Sequence, residues 1–191
     1  MRAVHRPVEV AGRLLVRPPW TEARPGLLDV VIDPGMAFGT AQHGTTRTCL
    51  AMLTDLPRGG SLLDAGCGTG VLAIAARRLG FDPVWAIDND QLAVDATLAN
   101  ARANGVGLAA GRRTIGTDRL PAAEVVVANL TATVLAVLAG ALPAPAPRHM
   151  ILSGLRPEEA DGAARLFAPH GLREVDRADD DGWTTVRLRR P

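Results

Sequence analysis

Apolar residues in this chain fall into short runs, and from residue 61 onward those runs alternate between two periods. Residues 61–65 form a short, almost wholly apolar run, as a buried strand does. Residues 71–79 follow a helical period, and Gly80 stands where a helix C-terminus wants a left-handed residue. Residues 83–87 are a second strand, ending at Asp88. The spacing predicts a helix over 90–103 with Leu92, Ala96, Ala99 and Ala103 on one face and Gly105 beyond its end. A weaker strand over 108–115, a buried strand over 124–128 and a helix over 131–142 come next, then a proline-rich loop at 143–147 and a strand over 149–152. Pro157, with Glu158 and Glu159 behind it, suits the first turn of another helix. Runs at 172–175 and 184–188 flank a polar turn at 179–182, and strands joined so closely are antiparallel. The expected fold class is therefore α/β. It has a mainly parallel sheet with helices on both faces and an antiparallel C-terminal hairpin at the edge.

Ahead of this regular stretch the pattern is weaker. Residues 8–16 alternate faintly, as a strand or a hairpin arm. Pro18, Pro19 and Pro25 break up the next segment, and residues 27–32 read as a strand leading into an Asp33-Pro34-Gly35 turn. A helix opening at Gly44 or Thr45 carries Cys49, Met52 and Leu53 inward and ends in the 57–60 breaker. No internal repeat is visible. With 191 residues, 47% of them hydrophobic, the chain is long and apolar enough for one core. The expected organisation is a short N-terminal segment, 1–32, that is not a separate domain, followed by one domain over 33–191.

Charge and composition then exclude several classes. A formal net charge of +1 gives no bulk attraction to a polyanion, so no direct nucleic-acid partner is expected. Every basic residue is Arg or His; without lysine there is neither a Walker A site nor a Schiff base. The two cysteines, Cys49 and Cys67, have no metal-ligand spacing, and no metal is expected. The first residues lack the pattern of a signal peptide, and no apolar run approaches the roughly 20 residues of a membrane span. A cytoplasmic protein without membrane contact is the expectation.

The chemistry starts at Leu62-Leu63-Asp64-Ala65-Gly66-Cys67-Gly68-Thr69-Gly70-Val71-Leu72, a glycine loop between a strand and a helix. Gly66 and Gly68 let the backbone turn tightly against a ligand, and the next helix directs its N–H groups at that ligand. A dinucleotide fingerprint needs glycine where Val71 stands. Asp64 suits a cationic amino group, and Asp88, at the end of the next strand, suits both hydroxyls of a ribose. Together they favour a nucleoside carrying an amino-acid end, S-adenosylmethionine, over a dinucleotide. The plain alternatives are a tight turn for the loop and a helix N-cap for Asp88.

Upstream, Asp33-Pro34-Gly35-Met36-Ala37-Phe38-Gly39-Thr40-Ala41-Gln42-His43-Gly44-Thr45-Thr46 closely resembles the D-P-G-x-A-F-G-T-G-x-H-x-T-T segment of the PrmA family, the ribosomal-protein-L-eleven methyltransferases. Ala41 departs from that family's usual glycine. The likeness continues through residues 64–76, Val125-Val126-Val127-Ala128-Asn129-Leu130, Ile151-Leu152-Ser153-Gly154-Leu155 and Gly182-Trp183-Thr184. It implies a Rossmann-like class I methyltransferase with a seven-stranded sheet, using S-adenosyl-L-methionine to methylate amino groups of a protein. A ribosomal protein is the acceptor that the resemblance implies. Thr45, Gly66, Asp88 and Asn129 would bind the cofactor, while Phe38 and Thr40 would help close the loop over it. The family's separate N-terminal recognition domain is not expected here, because only residues 1–32 precede Asp33. A small-molecule acceptor, or a cofactor-binding module that transfers nothing, therefore stay open as alternatives.

Asn129 is the candidate catalytic residue: at a strand's C-terminal end it can accept a hydrogen bond from the acceptor amine and aim its lone pair. Its plain alternative is an N-cap for the next helix. His43 is read as a loop anchor in preference to a proton acceptor.

Overall fold

Strands apolar on both faces need cover on both faces. In the computed structural model, which describes residues 6–33 and 41–191, that demand is met by a seven-stranded sheet between two helical layers. Five of its strands are β4 (Leu62–Ala65), β5 (Val84–Asp88), β6 (Ala109–Arg112), β7 (Val125–Asn129) and β8 (His149–Leu155). The closing hairpin supplies the last two, β9 (Arg173–Asp180) and β10 (Trp183–Arg189). The order is β6-β5-β4-β7-β8-β10-β9, and β10 pairs antiparallel with both of its neighbours. Helices α1 (Gly44–Thr54), α2 (Val71–Leu79) and α3 (Gln91–Ala103) belong to one side, and α4 (Ala132–Ala141) and α5 (Pro157–Leu166) to the other. Side chains of the central strands alternate between the layers. Leu62, Val125 and Val127 pack under α1 and α2, whereas Leu63, Val126 and Ala128 pack under α4 and α5. Among the described residues no helix is long and apolar enough to cross a membrane.

The N-terminal stretch makes a second, small sheet. β1 (Val8–Val10) and β2 (Leu14–Arg17) form a hairpin, and β3 (Leu28–Val31) runs parallel to β2. Val10, Leu14, Val16, Val30 and Ile32 join the apolar cluster under α1 and α2. Asn104, the C-cap of α3, fastens β3 by accepting from Val31 N at 2.8 Å and donating to Val31 O at 2.6 Å.

Two expectations need correcting. The polar stretch read as a turn over 179–182 is half strand: β9 runs through Asp180, and only Asp181-Gly182 turns, both at positive φ (57° and 77°). An Asp-Gly pair in that geometry is the tight hairpin turn that matches strand twist. Glu174, Asp176, Asp179 and Asp180 put charge along this edge strand, where charge protects against pairing with other chains. The second correction concerns α3. Its buried face is Ala93, Val94, Thr97, Asn100 and Ala101, while Leu92 is 65% exposed. Thr97 and Asn100 go inward because the glycine loop supplies carbonyls for them.

Candidate functional site

The parallel strands diverge at β4 and β7: the chain continues outward to β5 and β6 on one side and to β8 on the other. Ligands in open α/β sheets bind beyond the strand C-termini at such a switch point. The glycine loop lies there. Gly66 N and Cys67 N both donate to Ile87 O, at 2.8 and 3.0 Å, and Gly70 N donates to Cys67 O at 2.7 Å. Gly66, Gly68 and Gly70 all have positive φ. At Gly66 the restriction is also steric, because a Cβ would overlap the side chain of Leu130. From α3, Thr97 Oγ1 donates to Gly68 O at 3.0 Å and Asn100 Nδ2 to Thr69 O at 2.9 Å. Nothing in the pattern of apolar positions marks these two residues, and only the fold shows that they hold the loop.

Next to the loop is a cavity of about 480 Å³ whose wall includes Gly66, Gly68, Asp88, Asn129 and Leu130, with Val134 and Val137 of α4 on the apolar side. Thr46, Arg113, Thr114 and Ile115 also line it, and none of these was singled out from the sequence. Asp88 Oδ2 accepts from Gly68 N at 3.1 Å, and Oδ1 accepts from Asp90 N at 3.0 Å. The N-cap of α3 is Asp90, not Asp88. Each Asp88 oxygen keeps a further acceptor site for the cavity. Asn129 likewise is no N-cap, since Thr131 holds that position on α4. Asn129 Nδ2 instead donates to Thr45 Oγ1 at 3.2 Å. Thr45 is thereby tied to Asn129 across the end of β7, behind the cavity wall. His43 is exposed and is the N-cap of α1, its carbonyl accepting from Thr46 N and Arg47 N. Phe38 and Thr40 lie outside the described residues.

Asp64 occupies a different place from the other candidates. It is fully buried beneath the loop, away from the cavity wall, with Oδ2 accepting from Ala73 N at 3.1 Å and Oδ1 without a partner. Burial pushes its carboxyl up to about 7; the Ala73 hydrogen bond works against this and the nearby Asp88 charge adds to it. Below about pH 4 this carboxyl is protonated in folded and unfolded chains alike. As pH rises toward 7 the unfolded chain gives up its proton first, so the folded state loses stability across that window. An Asp64→Asn chain stays neutral throughout. Its melting temperature is expected to gain on the parent's steadily between about pH 4 and pH 8; a difference that is flat with pH would contradict this account. Burial also raises the Cys67 thiol to about 12, so it packs as a small apolar group.

A family model described as "Ribosomal protein L11 methyltransferase (PrmA)" matches residues 1–191. The chain belongs to the PrmA family. A PrmA relative from Bordetella parapertussis, named ribosomal protein L11 methyltransferase, is 43% identical over 197 residues, covering 94% of this chain and 62% of that protein. The chain thus spans less than two thirds of that relative's length. The crystal structure of ribosomal protein L11 methylase from Lactobacillus delbrueckii subsp. bulgaricus superposes with a TM-score of 0.84 at 24% identity, covering 97% of this chain and 99% of that one. Magnesium protoporphyrin IX methyltransferase from Synechocystis, solved with bound SAM, matches at a TM-score of 0.59 and 19% identity, over 75% of this chain and 77% of its own. This chain has the class I methyltransferase fold, with the mainly parallel seven-stranded sheet and antiparallel hairpin expected of it.

Proposed function

We propose that this PrmA-family chain is a methyltransferase that binds S-adenosylmethionine in the cavity beside the glycine loop and methylates an amino group of a protein, with a ribosomal protein as the acceptor. The observation that carries this reading is the position of Asn129. It stands at the end of β7, in the cavity wall, with Nδ2 committed to Thr45 Oγ1. That commitment leaves Oδ1 as the acceptor atom of the side chain. The cavity suits the cofactor in size and chemistry: a few hundred Å³, apolar walls, and a few fixed polar groups. Gly66 at positive φ brings bare backbone to the cavity, Asp88 offers spare acceptor sites for a ribose, and the buried Thr46 hydroxyl in the wall lacks a protein partner. Bound there, the cofactor supplies an electrophilic methyl group on a sulfonium, so the chain's task is alignment and not activation.

In this reading Asn129 Oδ1 accepts an N–H from the acceptor amine and turns its lone pair toward the methyl carbon. Leu130, Val134 and Val137 give this part of the cavity an apolar wall, which favours the neutral amine, whose pKa in water is near 10.4 for lysine. Asp64 does not line the cavity, and its part is to cap α2 from below. Residues 1–32 brace the 33–191 unit, and the setting is the cytoplasm.

Transfer of labelled methyl into a lysate of cells lacking this protein, followed by mass spectrometry of the labelled product, tests the reading. The expected product is a ribosomal protein methylated at a lysine or an N-terminal amine. Label confined to a metabolite would remove the protein acceptor and keep the enzyme. Absence of transfer together with binding of S-adenosylhomocysteine would mark a module that does not catalyse.

A further inference from the structure

Among the described residues the closing hairpin supplies none to the cavity wall, yet it holds the first turns of α1 at Gly44, Arg47 and Thr48. Gly44 packs so closely on β9 that a Cβ there would sit 2.5 Å from Asp180 O. Arg47 Nε donates to Asp180 Oδ2 at 2.8 Å. The third contact is buried. Val186 and Leu188 of β10 face α4 and α5, so Thr185 points the other way, under α1. Its Oγ1 is 2.5 Å from Thr48 Oγ1 and 2.6 Å from Ser153 Oγ of β8, and all three residues are buried. One proton pattern satisfies the three hydroxyls. Thr48 Oγ1 stands 2.9 Å from Gly44 O and 3.1 Å from Thr45 O, so its proton goes to the helix, the back-bond usual for threonine. Thr185 therefore donates to Thr48, and Ser153 donates to Thr185. Such a cluster adds little net stability over apolar groups of the same shape, because its hydroxyls give up water to form these bonds. What it fixes is geometry: a satisfied buried network specifies one arrangement of its members.

That arrangement bears on Asn129, which is held from two sides. Helix α1 holds its side chain, through Nδ2 to Thr45 Oγ1 at 3.2 Å. Strand β8 holds its main chain: Asn129 pairs with Ser153, and Ser153 O accepts from Leu130 N at 3.0 Å. Thr185 joins the two holders, touching Thr48 one turn beyond Thr45 and Ser153 beside Asn129. We infer that Thr185 is a positioning residue for methyl transfer: by clasping Thr48 to Ser153 it sets α1 against β8, and so fixes the direction in which Asn129 Oδ1 meets the acceptor amine. The inference rests on the role proposed above for Asn129 and adds to it a residue that does not line the cavity.

Transfer rates on the full chain, with labelled S-adenosylmethionine and total ribosomal protein from cells lacking this chain, test this beside calorimetry with S-adenosylhomocysteine. Thr185→Val preserves shape and branching and removes only the hydroxyl. It is expected to lower kcat about 10-fold and to leave the KM for S-adenosylmethionine and the affinity for S-adenosylhomocysteine within about 2-fold. Thr185→Ser, which keeps the hydroxyl, is expected to transfer within about 2-fold of the parent rate. Thr48→Val breaks the same clasp from the helix side, and the double variant is expected to be no slower than the slower single one, because both changes remove one connection. A Thr185→Val chain with the parental kcat, a rate loss matched by an equal loss of S-adenosylhomocysteine affinity, a serine chain as slow as the valine one, or losses that multiply in the double variant would each overturn the inference and leave the role of Asn129 intact. If Thr185→Val does not fold, Thr48→Val decides by the same split between kcat and affinity. A parent chain that binds S-adenosylhomocysteine and methylates nothing would overturn the role of Asn129, and this inference with it.

Discussion

Asn129→Ala is expected to slow methyl transfer at saturating substrates by about 100-fold or more, with S-adenosylhomocysteine affinity falling by less than about 10-fold. The split comes from where the side chain sits. Asn129 Nδ2 is held by Thr45 Oγ1, and the loop that grips a cofactor, Gly66 to Gly70, is fastened separately by Ile87, Thr97, Asn100 and Asp88. Truncating Asn129 therefore leaves the loop's own hydrogen bonds in place. It removes the fixed acceptor that orients the amine, and a misplacement of about 1 Å at a reacting atom costs on the order of 100-fold. Asn129→Asp keeps an oxygen but loses the N–H that Thr45 accepts, so its rate should fall between the two. Single-turnover transfer with a labelled methyl group separates chemistry from binding. An alanine chain that transfers at the parental rate would show that the amine is oriented by something else.

The legible part of this site was the part that repeats a local rule. The glycine loop could be read because a strand, a G-x-G-x-G turn and a helix are contiguous, and Asp88 because it ends the next strand. The parallel sheet could be read because apolar runs alternated with helical ones. The features that stayed hidden depend on contacts distant in sequence. Thr97 and Asn100 looked like polar interruptions of a helix until the loop's carbonyls were seen opposite them. The face built on Leu92, Ala96, Ala99 and Ala103 failed for the same reason, since hydrophobicity alone ranks an exposed leucine above a satisfied asparagine. Asp64 shows the opposite case. Its position beside the loop suggested a ligand contact, and what the fold adds is a bond that no local rule announced: its Oδ2 accepts from Ala73 N, in the first turn of α2. Thr46 closes the segment that resembles the family, but that its hydroxyl is unpartnered is a property of the folded chain.

Gly154→Ala is expected to destabilise the chain by about 2–5 kcal/mol, combining the strain of a non-glycine residue in the left-handed region with a backbone clash. Gly154 has φ +81°, and a Cβ there would sit 2.5 Å from Leu130 O and 2.9 Å from Leu130 C. These are main-chain atoms of the residue after Asn129, so no side-chain rotation relieves the overlap. The position is built in. Thr184 pairs with Leu155 and Val186 with Leu152, so Ser153 and Gly154 together stand opposite Thr185 as a bulge in β8. The bulge keeps Ser153 O on Leu130 N at 3.0 Å while its Oγ meets Thr185 Oγ1 at 2.6 Å. Thr185 in turn meets Thr48 Oγ1 at 2.5 Å, which links the bulge to α1. Moving Leu130 away from a Cβ at 154 would pull on Asn129 and loosen the cavity wall. Transfer should therefore drop even at temperatures where the variant is still folded. A loss of this size is a large share of the roughly 5–15 kcal/mol that holds a domain together. Urea unfolding of parent and variant measures it, and a loss below about 1 kcal/mol would mean that the Leu130 backbone yields freely.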